Sequence, residues 1–251
     1  MDKRLADIKN KVDASSQAFF LHLDKIFEDE VKIPLNELQH YTKVYLFSGL
    51  IRNYFLKVEE YRDIDIVLEK ALDIDYFFGD RKITKNSFGG FKIFFNQSAM
   101  DLWFMENTWA FKNSHNTLNF QIRENIPRTA FFNFSSIVYL INWKKFYYTE
   151  HFLRFLKYRE LDYVEPANAN YGLCVVNTFY YADKYKLKIT KRLMELILKF
   201  HNSNRFDYDA IQTKHFGEVL YQYAELEKRL SQPEKIKTVH LVGGFGLDKW
   251  K

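Results

Sequence analysis

The segment 61–68 constrains the fold of this chain most, because its sequence, YRDIDIVL, alternates polar and apolar residues and then becomes wholly apolar. That pattern predicts a β-strand that runs into a hydrophobic core. Side chains two positions apart on a strand point to the same face, so Asp63 and Asp65 are expected side by side. Two neighbouring carboxylates repel each other unless a cation lies between them. The strand is therefore predicted to carry a metal site.

A third aspartate completes the predicted site. The run 98–104, SAMDLWF, is strongly strand-like, and Asp101 is its only charged residue. A neighbouring strand would bring this lone charge to Asp63 and Asp65. Mg²⁺ prefers a few carboxylates together with phosphate oxygens and water. We therefore predict that the three aspartates bind two Mg²⁺ ions, with Mn²⁺ as an alternative, and act as the catalytic residues of a phosphoryl transfer.

Upstream of these aspartates, a strand, a tight turn and a helix are predicted to follow one another. Residues 43–47 predict the strand, Ser48 and Gly49 the turn, and residues 50–56 the helix. The amide groups and the dipole at a helix N-terminus favour a phosphate. Ser48, Gly49 and Arg52 are therefore predicted to bind a nucleotide. Each motif alone is common on solvated strands and plain turns, and only the ordered combination favours a nucleotide site.

Taken together, SGLIRNYFL at 48–56 and RDIDI at 62–66 resemble the signature of class II CCA-adding enzymes and bacterial poly(A) polymerases, within the polymerase-β-like nucleotidyltransferase superfamily. Weaker similarity continues in GGFKI at 89–93, FNFSS at 132–136 and the apolar run 172–182. The resemblance implies an α+β protein with an N-terminal mixed-sheet nucleotidyltransferase head followed by an α-helical neck domain. It also implies transfer of a nucleoside monophosphate from an NTP, ATP by default, to an acceptor hydroxyl, with an RNA or tRNA 3′ end as the favoured acceptor.

The chain departs from the family pattern at positions that bind and select nucleotides. Thr129, Ala130 and Phe131 stand where the family carries paired arginines, with Arg128 nearby. The family's Glu-Asp-x-x-Arg element, which selects C or A, is absent around 167–170. A protein or small-molecule acceptor therefore stays open. So does a weakly active nucleotide-binding component of a toxin–antitoxin or defence system.

Composition and charge set the outer limits on this chain. It has 251 residues, 47% of them hydrophobic, which is enough for one or two modest cores. We place a domain boundary near residue 148, between a head with an N-terminal helix (1–148) and a helical domain (149–251) that ends in a flexible tail. The net charge of +5 is compatible with an anionic partner such as RNA.

The expected cellular location rests on the first ten residues, on the length of the apolar stretches and on the cysteine content. The first ten residues carry no hydrophobic signal segment and no stretch approaches the length of a membrane span. Cys174 is the only cysteine and lies in an apolar run, so it is interpreted as a buried hydrophobic residue in a reducing compartment. A cytoplasmic location and no membrane partner are therefore expected, while the oligomeric state is unconstrained.

A basic cluster lies between two predicted C-terminal helices, the second of which is expected to be capped by Thr190. Its members are candidate contacts to an RNA backbone: Lys184, Lys186, Lys188, Lys191 and Arg192. A solvated helix turn explains the same cluster equally well.

Four further patterns predict local structure. Pro34 is expected to end the N-terminal helices before the first strand. Residues 82–88 and 91–95, on either side of two glycines, predict a hairpin. Residues 208–230 carry apolar positions at helical spacing and predict one helix. Trp109 is interpreted as a core residue, with the wall of a base pocket as the alternative.

Overall fold

A computed structural model describes residues 3–47, 49–60, 63–86, 89–114 and 117–231 of the protein. Its helices are α1 (Lys3–Ala14), α2 (Ser16–Ile26), α3 (Asp29–Tyr41), α4 (Gly49–Leu56), α5 (Ile74–Phe78), α6 (Trp109–Lys112), α7 (Ile122–Thr129), α8 (Glu150–Tyr158), α9 (Tyr171–Tyr185), α10 (Lys191–Ser203), α11 (Tyr208–Phe216) and α12 (Tyr223–Ser231). Its strands are β1 (Val44–Phe47), β2 (Asp63–Leu68), β3 (Ile83–Lys85), β4 (Phe91–Phe94), β5 (Ala99–Phe104), β6 (Ile137–Leu140), β7 (Lys145–Tyr148), β8 (Glu160–Leu161) and β9 (Lys188–Ile189).

A mixed sheet organises the N-terminal part of the chain, with the strand order β3-β4-β5-β2-β1-β6-β7. Strands β2 and β5 run parallel, and the other neighbours in this sheet are antiparallel. Helices α1, α2 and α3 precede β1, and β3, β4 and β5 follow one another with no helix among the described residues between them, so helices and strands do not alternate regularly. The α+β class predicted from the sequence is confirmed.

Alternation along each strand separates two cores on the two faces of the sheet. On one face, the fully buried Phe19 of α2 packs edge-on against Tyr139 of β6, with ring centroids 4.8 Å apart. On the other face, Tyr45 of β1 and Val67 of β2 pack with buried residues of α6 and α7. Because Val67 and Asp65 are two positions apart, the aspartates of β2 lie on this second face.

The chain divides into two compact units. The first contains the mixed sheet and helices α1 to α8, together with residues 164–168. The second contains β8, β9 and helices α9 to α12. Helix α8 belongs to the first unit because it packs on α1 and on the 3-10 turn Asn133–Ser135. The first unit therefore continues to residue 158, past the boundary expected at residue 148.

Two local predictions about helices are wrong. Pro34 does not end a helix, because α3 runs through it and buries its ring on the same face as Val31, Leu35 and Leu38. Residues 208–230 form two helices, since α11 ends at Gly217, whose φ of +83° is left-handed and favours glycine.

A buried glutamine, Gln212, stabilises the break between α11 and α12. The side-chain oxygen of Gln212 accepts hydrogen bonds from the backbone N–H groups of Leu220 and Tyr221, at 3.1 and 2.9 Å. Its amide nitrogen donates to the carbonyl of Tyr221, at 3.0 Å. These bonds give hydrogen-bond partners to backbone groups between the two helices, which would bond to each other in a continuous helix.

Two other expectations for the second unit, the cap by Thr190 and the burial of Cys174, are confirmed. The hydroxyl of Thr190 accepts from the backbone N–H of Leu193 and caps α10. Cys174 is buried, and burial raises the pKa of its thiol to about 12. Across the residues the structure describes, no helix combines the length and apolar content needed to cross a membrane.

Candidate active site

The register of two central strands brings the predicted aspartates together. Asp65 on β2 lies directly opposite Asp101 on the parallel strand β5. Asp63 precedes Asp65 by two residues and so shares its face. The intervening Ile64 is fully buried on the opposite face. The alternation of segment 61–68 thus predicts correctly which of its described side chains face the core.

A lysine absent from the sequence prediction lies between two of these carboxylates. Lys92 of β4 is opposite Asp101 in the antiparallel register of β4 and β5. Its ammonium Nζ donates to Asp63 Oδ1 at 2.9 Å and to Asp101 Oδ2 at 3.2 Å. Burial lowers the pKa of Lys92, but its hydrogen bonds to Asp63 and Asp101 outweigh that effect and raise the pKa above its ordinary value. Lys92 is therefore a cation that partly neutralises this acidic face.

The same hairpin holds the second oxygen of Asp101. Asn86, just after β3, donates from Nδ2 to Asp101 Oδ1 at 3.2 Å. Its own oxygen accepts from the backbone N–H of Gly90 at 2.8 Å. A Cβ at Gly90 would lie 2.5 Å from the carbonyl oxygen of Leu102, so only glycine permits this close approach to β5. Both oxygens of Asp101 are thus bonded to the β3–β4 hairpin.

Gly49, from the predicted phosphate-binding turn, lies close to Asp65. Gly49 begins α4, and a Cβ built on it would lie 3.8 Å from Asp65 Oδ2. The N-terminus of α4 and the carboxylate of Asp65 are therefore neighbours, as the ordered motifs predict. Ser48, the other residue assigned to the turn, lies outside the described residues.

Arg52 occupies a different environment from the one expected of a phosphate ligand. It is buried, with its guanidinium carbon 4.9 Å from the centroid of the Phe134 ring. Its Nε donates to Asn53 Oδ1 at 3.1 Å, and Asn53 in turn donates to the carbonyl of Glu60. Arg52 and Asn53 thereby tie α4 to the segment that leads into β2 and to the 3-10 turn Asn133–Ser135.

A cavity of about 430 Å³ opens beside Asp65. Its aromatic lining comes from Phe47, Trp103 and Trp109, and its polar lining from Asn107, Thr108, Lys112, Thr129 and Asn168. The amide of Asn168 donates to the carbonyl of Thr129 at 2.6 Å, which fixes the orientation of its side chain. Trp109 is half-buried at the cavity wall, so its interpretation as a core residue is wrong.

The aspartates fit a divalent cation in chemistry but are not gathered around one point. Among the residues with described positions, no three His, Cys, Asp or Glu side chains form a group that could hold a metal ion. Lys92 bridges Asp63 and Asp101, while Asp65 faces the Gly49 turn. Carboxylates are the ligands that Mg²⁺ prefers, and the position between Asp63 and Asp101 already accepts a positive charge. The chemistry of Asp63 and Asp101 therefore fits a cation, and the space between them holds the Lys92 ammonium.

The predicted RNA contacts lie in the second unit and differ in their surroundings. Lys184, Lys186 and Lys188 are exposed around the end of α9 and on β9. Arg192 instead pairs with Asp162 at 3.0 Å and lies over the ring of Tyr163 at 4.0 Å. Lys191 lies 3.7 Å from Glu195. Arg192 and Lys191 thus have carboxylate partners, whereas the ammonium of Lys184 lies 3.5 Å from the hydroxyl of Tyr180.

The residues that the sequence prediction missed share a hairpin, and the turn after that hairpin contains the signal for Lys92. The β3–β4 pairing aligns Lys85 with Phe91, and the next pairing aligns Lys92 with Asp101. The short turn at 95–98, closed by a bond from the Phe95 N–H to the Ser98 carbonyl, joins β4 to β5. Counting residues outward from that turn would have placed Lys92 beside Asp101.

Comparison with known proteins supports the fold that the sequence motifs imply. No protein-family profile and no curated protein sequence matches this chain. Among solved structures, a CCA-adding enzyme with CTP is 16% identical, with a TM-score of 0.59 over 86% of this chain and 54% of that one. A CCA-adding enzyme with ATP is 14% identical, with a TM-score of 0.58 over 84% of this chain and 53% of that one. The Thermotoga maritima CCA-adding enzyme complexed with tRNA is 15% identical, with a TM-score of 0.58 and the same coverage of the two chains, 84% and 53%.

These similarities establish the fold. The resemblance to CCA-adding enzymes inferred from residues 48–56 and 62–66 is confirmed at that level. The chain spans about half the length of these solved structures.

Proposed function

We propose that this protein is a metal-dependent nucleotidyltransferase that transfers a nucleoside monophosphate from an NTP to an acceptor hydroxyl. The observation that carries the proposal is the position of Asp65, which lies opposite Asp101 and against the Gly49 turn. Metal-assisted phosphoryl transfer needs carboxylates for the cations and a phosphate-binding group beside them, and a helix N-terminus supplies the second of these.

Asp63, Asp65 and Asp101 are the residues we assign to divalent cations, Mg²⁺ or Mn²⁺. When bound, such cations neutralise the triphosphate and lower the pKa of the attacking hydroxyl. Asp101 is the group assigned to take the proton of that hydroxyl at Oδ2, after its bond to Lys92 has broken. The acceptor oxygen then bonds to the α-phosphorus as the bond to pyrophosphate breaks.

The remaining parts of the nucleotide are assigned to the first unit. The N-terminal amides of α4 at Gly49, with Ser48, face the phosphates in this proposal. Arg52, a buried residue of α4, contributes positive charge in this proposal and packs on the ring of Phe134. The cavity beside Asp65 takes the base, because the indoles of its wall offer flat apolar surfaces for stacking. ATP is the default donor.

An RNA 3′ end is the acceptor we favour. Solved structures of the same fold include one complexed with tRNA. The exposed lysines Lys184, Lys186 and Lys188 offer charge for a phosphate backbone, with Lys191 and Arg192 nearby. A protein or small-molecule hydroxyl is the alternative acceptor. We further propose that the protein acts in the cytoplasm.

Incubation with each radiolabelled NTP, Mg²⁺ and total RNA tests the proposal. Label should enter RNA with the wild-type protein. Asp101→Asn should reduce incorporation by several orders of magnitude, because one metal ligand and the proton acceptor are lost together. The matched control is Asp24→Asn, an exposed aspartate of α2, which should leave incorporation unchanged. Full turnover by Asp101→Asn would remove this residue from the catalytic group.

A second candidate function is nucleotide binding with little or no transfer, as in a toxin–antitoxin or defence component. The bridge from Lys92 to Asp63 and Asp101 favours it, because this cation takes the place of a metal. The uncharged Thr129 at the cavity wall, where the family carries arginine, favours it as well. Tight binding of an NTP without label in RNA, protein or small molecules would select this second function.

A further inference from the structure

Lys92 lies on the acidic face and has no role of its own in the transfer step proposed above. Its side chain is 30% exposed, and those of Asp63 and Asp101 are each 16% exposed. Partly buried ion pairs are screened less by water and salt than surface pairs are. The contact is therefore strong enough to influence whatever else binds these carboxylates.

The geometry makes Lys92 a direct competitor of any other cation at this position. One ammonium donates to an oxygen of Asp63 and to an oxygen of Asp101, and so occupies the space between them. Asn86 bonds to the remaining oxygen of Asp101. A divalent cation that approaches Asp63 and Asp101 must displace the ammonium, because two cations in one space repel each other.

We propose that Lys92 is a resident counter-ion that competes with divalent cations for Asp63 and Asp101 and thereby weakens the metal affinity of this chain. The inference rests on the proposed function, because it concerns the carboxylates assigned there to the metal. Lys92 acts through its bonds to the two carboxylates and not on the substrate.

The position of Lys92 on β4 explains how one residue can serve two states. Without metal, its ammonium relieves the repulsion between two carboxylates on neighbouring strands. With metal, the same repulsion is relieved by the divalent cation, and the flexible side chain can leave without a change in the strand register. Removal of the ammonium should therefore cost stability without metal and increase affinity for metal.

Titration with Mn²⁺ measures this competition without any transfer reaction. The electron paramagnetic resonance signal of free Mn²⁺ disappears on binding, so it reports the dissociation constant of the intact, nucleotide-free protein. Lys92→Met keeps the apolar stem and removes the charge, and we expect it to bind Mn²⁺ about tenfold more tightly than wild type. Lys92→Arg keeps the charge and should bind Mn²⁺ as the wild type does.

Lys85→Gln is the matched control on the same hairpin. Lys85 is exposed on β3, and its ammonium lies 5.1 Å from the centroid of the Phe91 ring. This variant should leave the Mn²⁺ dissociation constant unchanged. Thermal unfolding in EDTA and in Mn²⁺ supplies a second readout: Mn²⁺ should raise the melting temperature of Lys92→Met by more than that of wild type.

The outcomes separate this inference from the proposed function. Equal Mn²⁺ affinity in wild type and Lys92→Met would overturn the competition while leaving metal-dependent transfer intact. Binding by Lys92→Met alone would support the competition and count against metal-dependent transfer by the wild-type chain. Binding by neither protein would overturn the competition, and the radiolabel assay with NTP would then decide on metal-dependent transfer.

Discussion

The guanidinium of Arg52 lies 4.9 Å from the centre of the Phe134 ring. The contact joins α4, which begins at the Gly49 turn, to the 3-10 turn that precedes β6. Two segments far apart in the sequence, each similar to a family motif, are thereby packed as one body. Arg52 therefore has a structural role whether or not it also attracts a phosphate.

Arg52→Met should lower the free energy of unfolding by about 1–2 kcal/mol, because a buried cation–π contact and the bond to Asn53 are lost. Urea denaturation measures the change. Arg154→Met is the control, since Arg154 makes an exposed ion pair with Glu150 and should cost less than about 1 kcal/mol. Equal losses in the two variants would contradict a structural role for Arg52.

If the Gly49 turn binds the nucleotide, only a small side chain at position 49 should leave the affinity for nucleotide unchanged. Gly49→Ala should keep its affinity for a nonhydrolysable ATP analogue, because a methyl group 3.8 Å from Asp65 is in ordinary contact. Gly49→Val should weaken binding by about tenfold or more, since its branched carbons obstruct the approach of phosphate. Isothermal titration in Mg²⁺ compares them. If valine binds as well as alanine does, the phosphates lie elsewhere.

A base in the cavity should stack on its aromatic wall. Trp109→Ala is expected to weaken binding of the ATP analogue by about 1–3 kcal/mol, the usual contribution of base stacking on an aromatic ring. Trp143→Ala provides the control, because Trp143 is 54% exposed and does not line the cavity. Nucleotide should also quench the fluorescence of the wild-type protein more than that of Trp109→Ala. Unchanged affinity in Trp109→Ala would exclude the base from this wall.

An RNA contact by the exposed lysines predicts a change in salt dependence. Reversal of Lys184, Lys186 and Lys188 to glutamate should flatten the slope of log K against log salt by about 0.7 per lost contact on single-stranded RNA. Arg192 is left unchanged, because its reversal would also break the ion pair with Asp162. Fluorescence anisotropy of a labelled oligonucleotide over a range of KCl concentrations measures the slope.

A matched triple variant controls for net charge. It reverses exposed lysines of the first unit, Lys25, Lys70 and Lys82. Affinity for the ATP analogue should survive the change in the second unit. A slope that is equal in both triple variants would reduce the cluster to a solvated turn and favour a protein or small-molecule acceptor.

The sequence predicts those parts of the site that are encoded locally. Alternation along one strand is enough to assign Asp63 and Asp65 to one face and Ile64 to the core. The strand-like run around Asp101 is also local, but its pairing with Asp65 is known only from the structure. The Gly49 turn is likewise a local sequence of strand, glycine and helix.

The parts that were missed depend on contacts between distant segments. Lys92 meets Asp63 only because β4 and β5 pair in one particular register, which alternation alone does not specify. The cavity needs β1, β2, β5, α6 and α7 to come together, so no single pattern marks Trp109 as its wall. The break at Gly217 depends on the buried Gln212, whose bonds reach the backbone beyond the helix.

The two partners of the Lys92–Asp63 ion pair lie on strands that we expect to unfold locally at different rates. Asp63 lies on β2, which is paired on both sides, whereas Lys92 and Asn86 come from the outer hairpin β3–β4. Outer hairpins unfold locally more often than central strands, and their amide hydrogens exchange sooner. A transient opening of this hairpin would withdraw Lys92 and Asn86 together while β2 kept its place. Hydrogen exchange of the β4 amides would then show how often the whole hairpin, rather than the Lys92 side chain alone, moves away from the carboxylates.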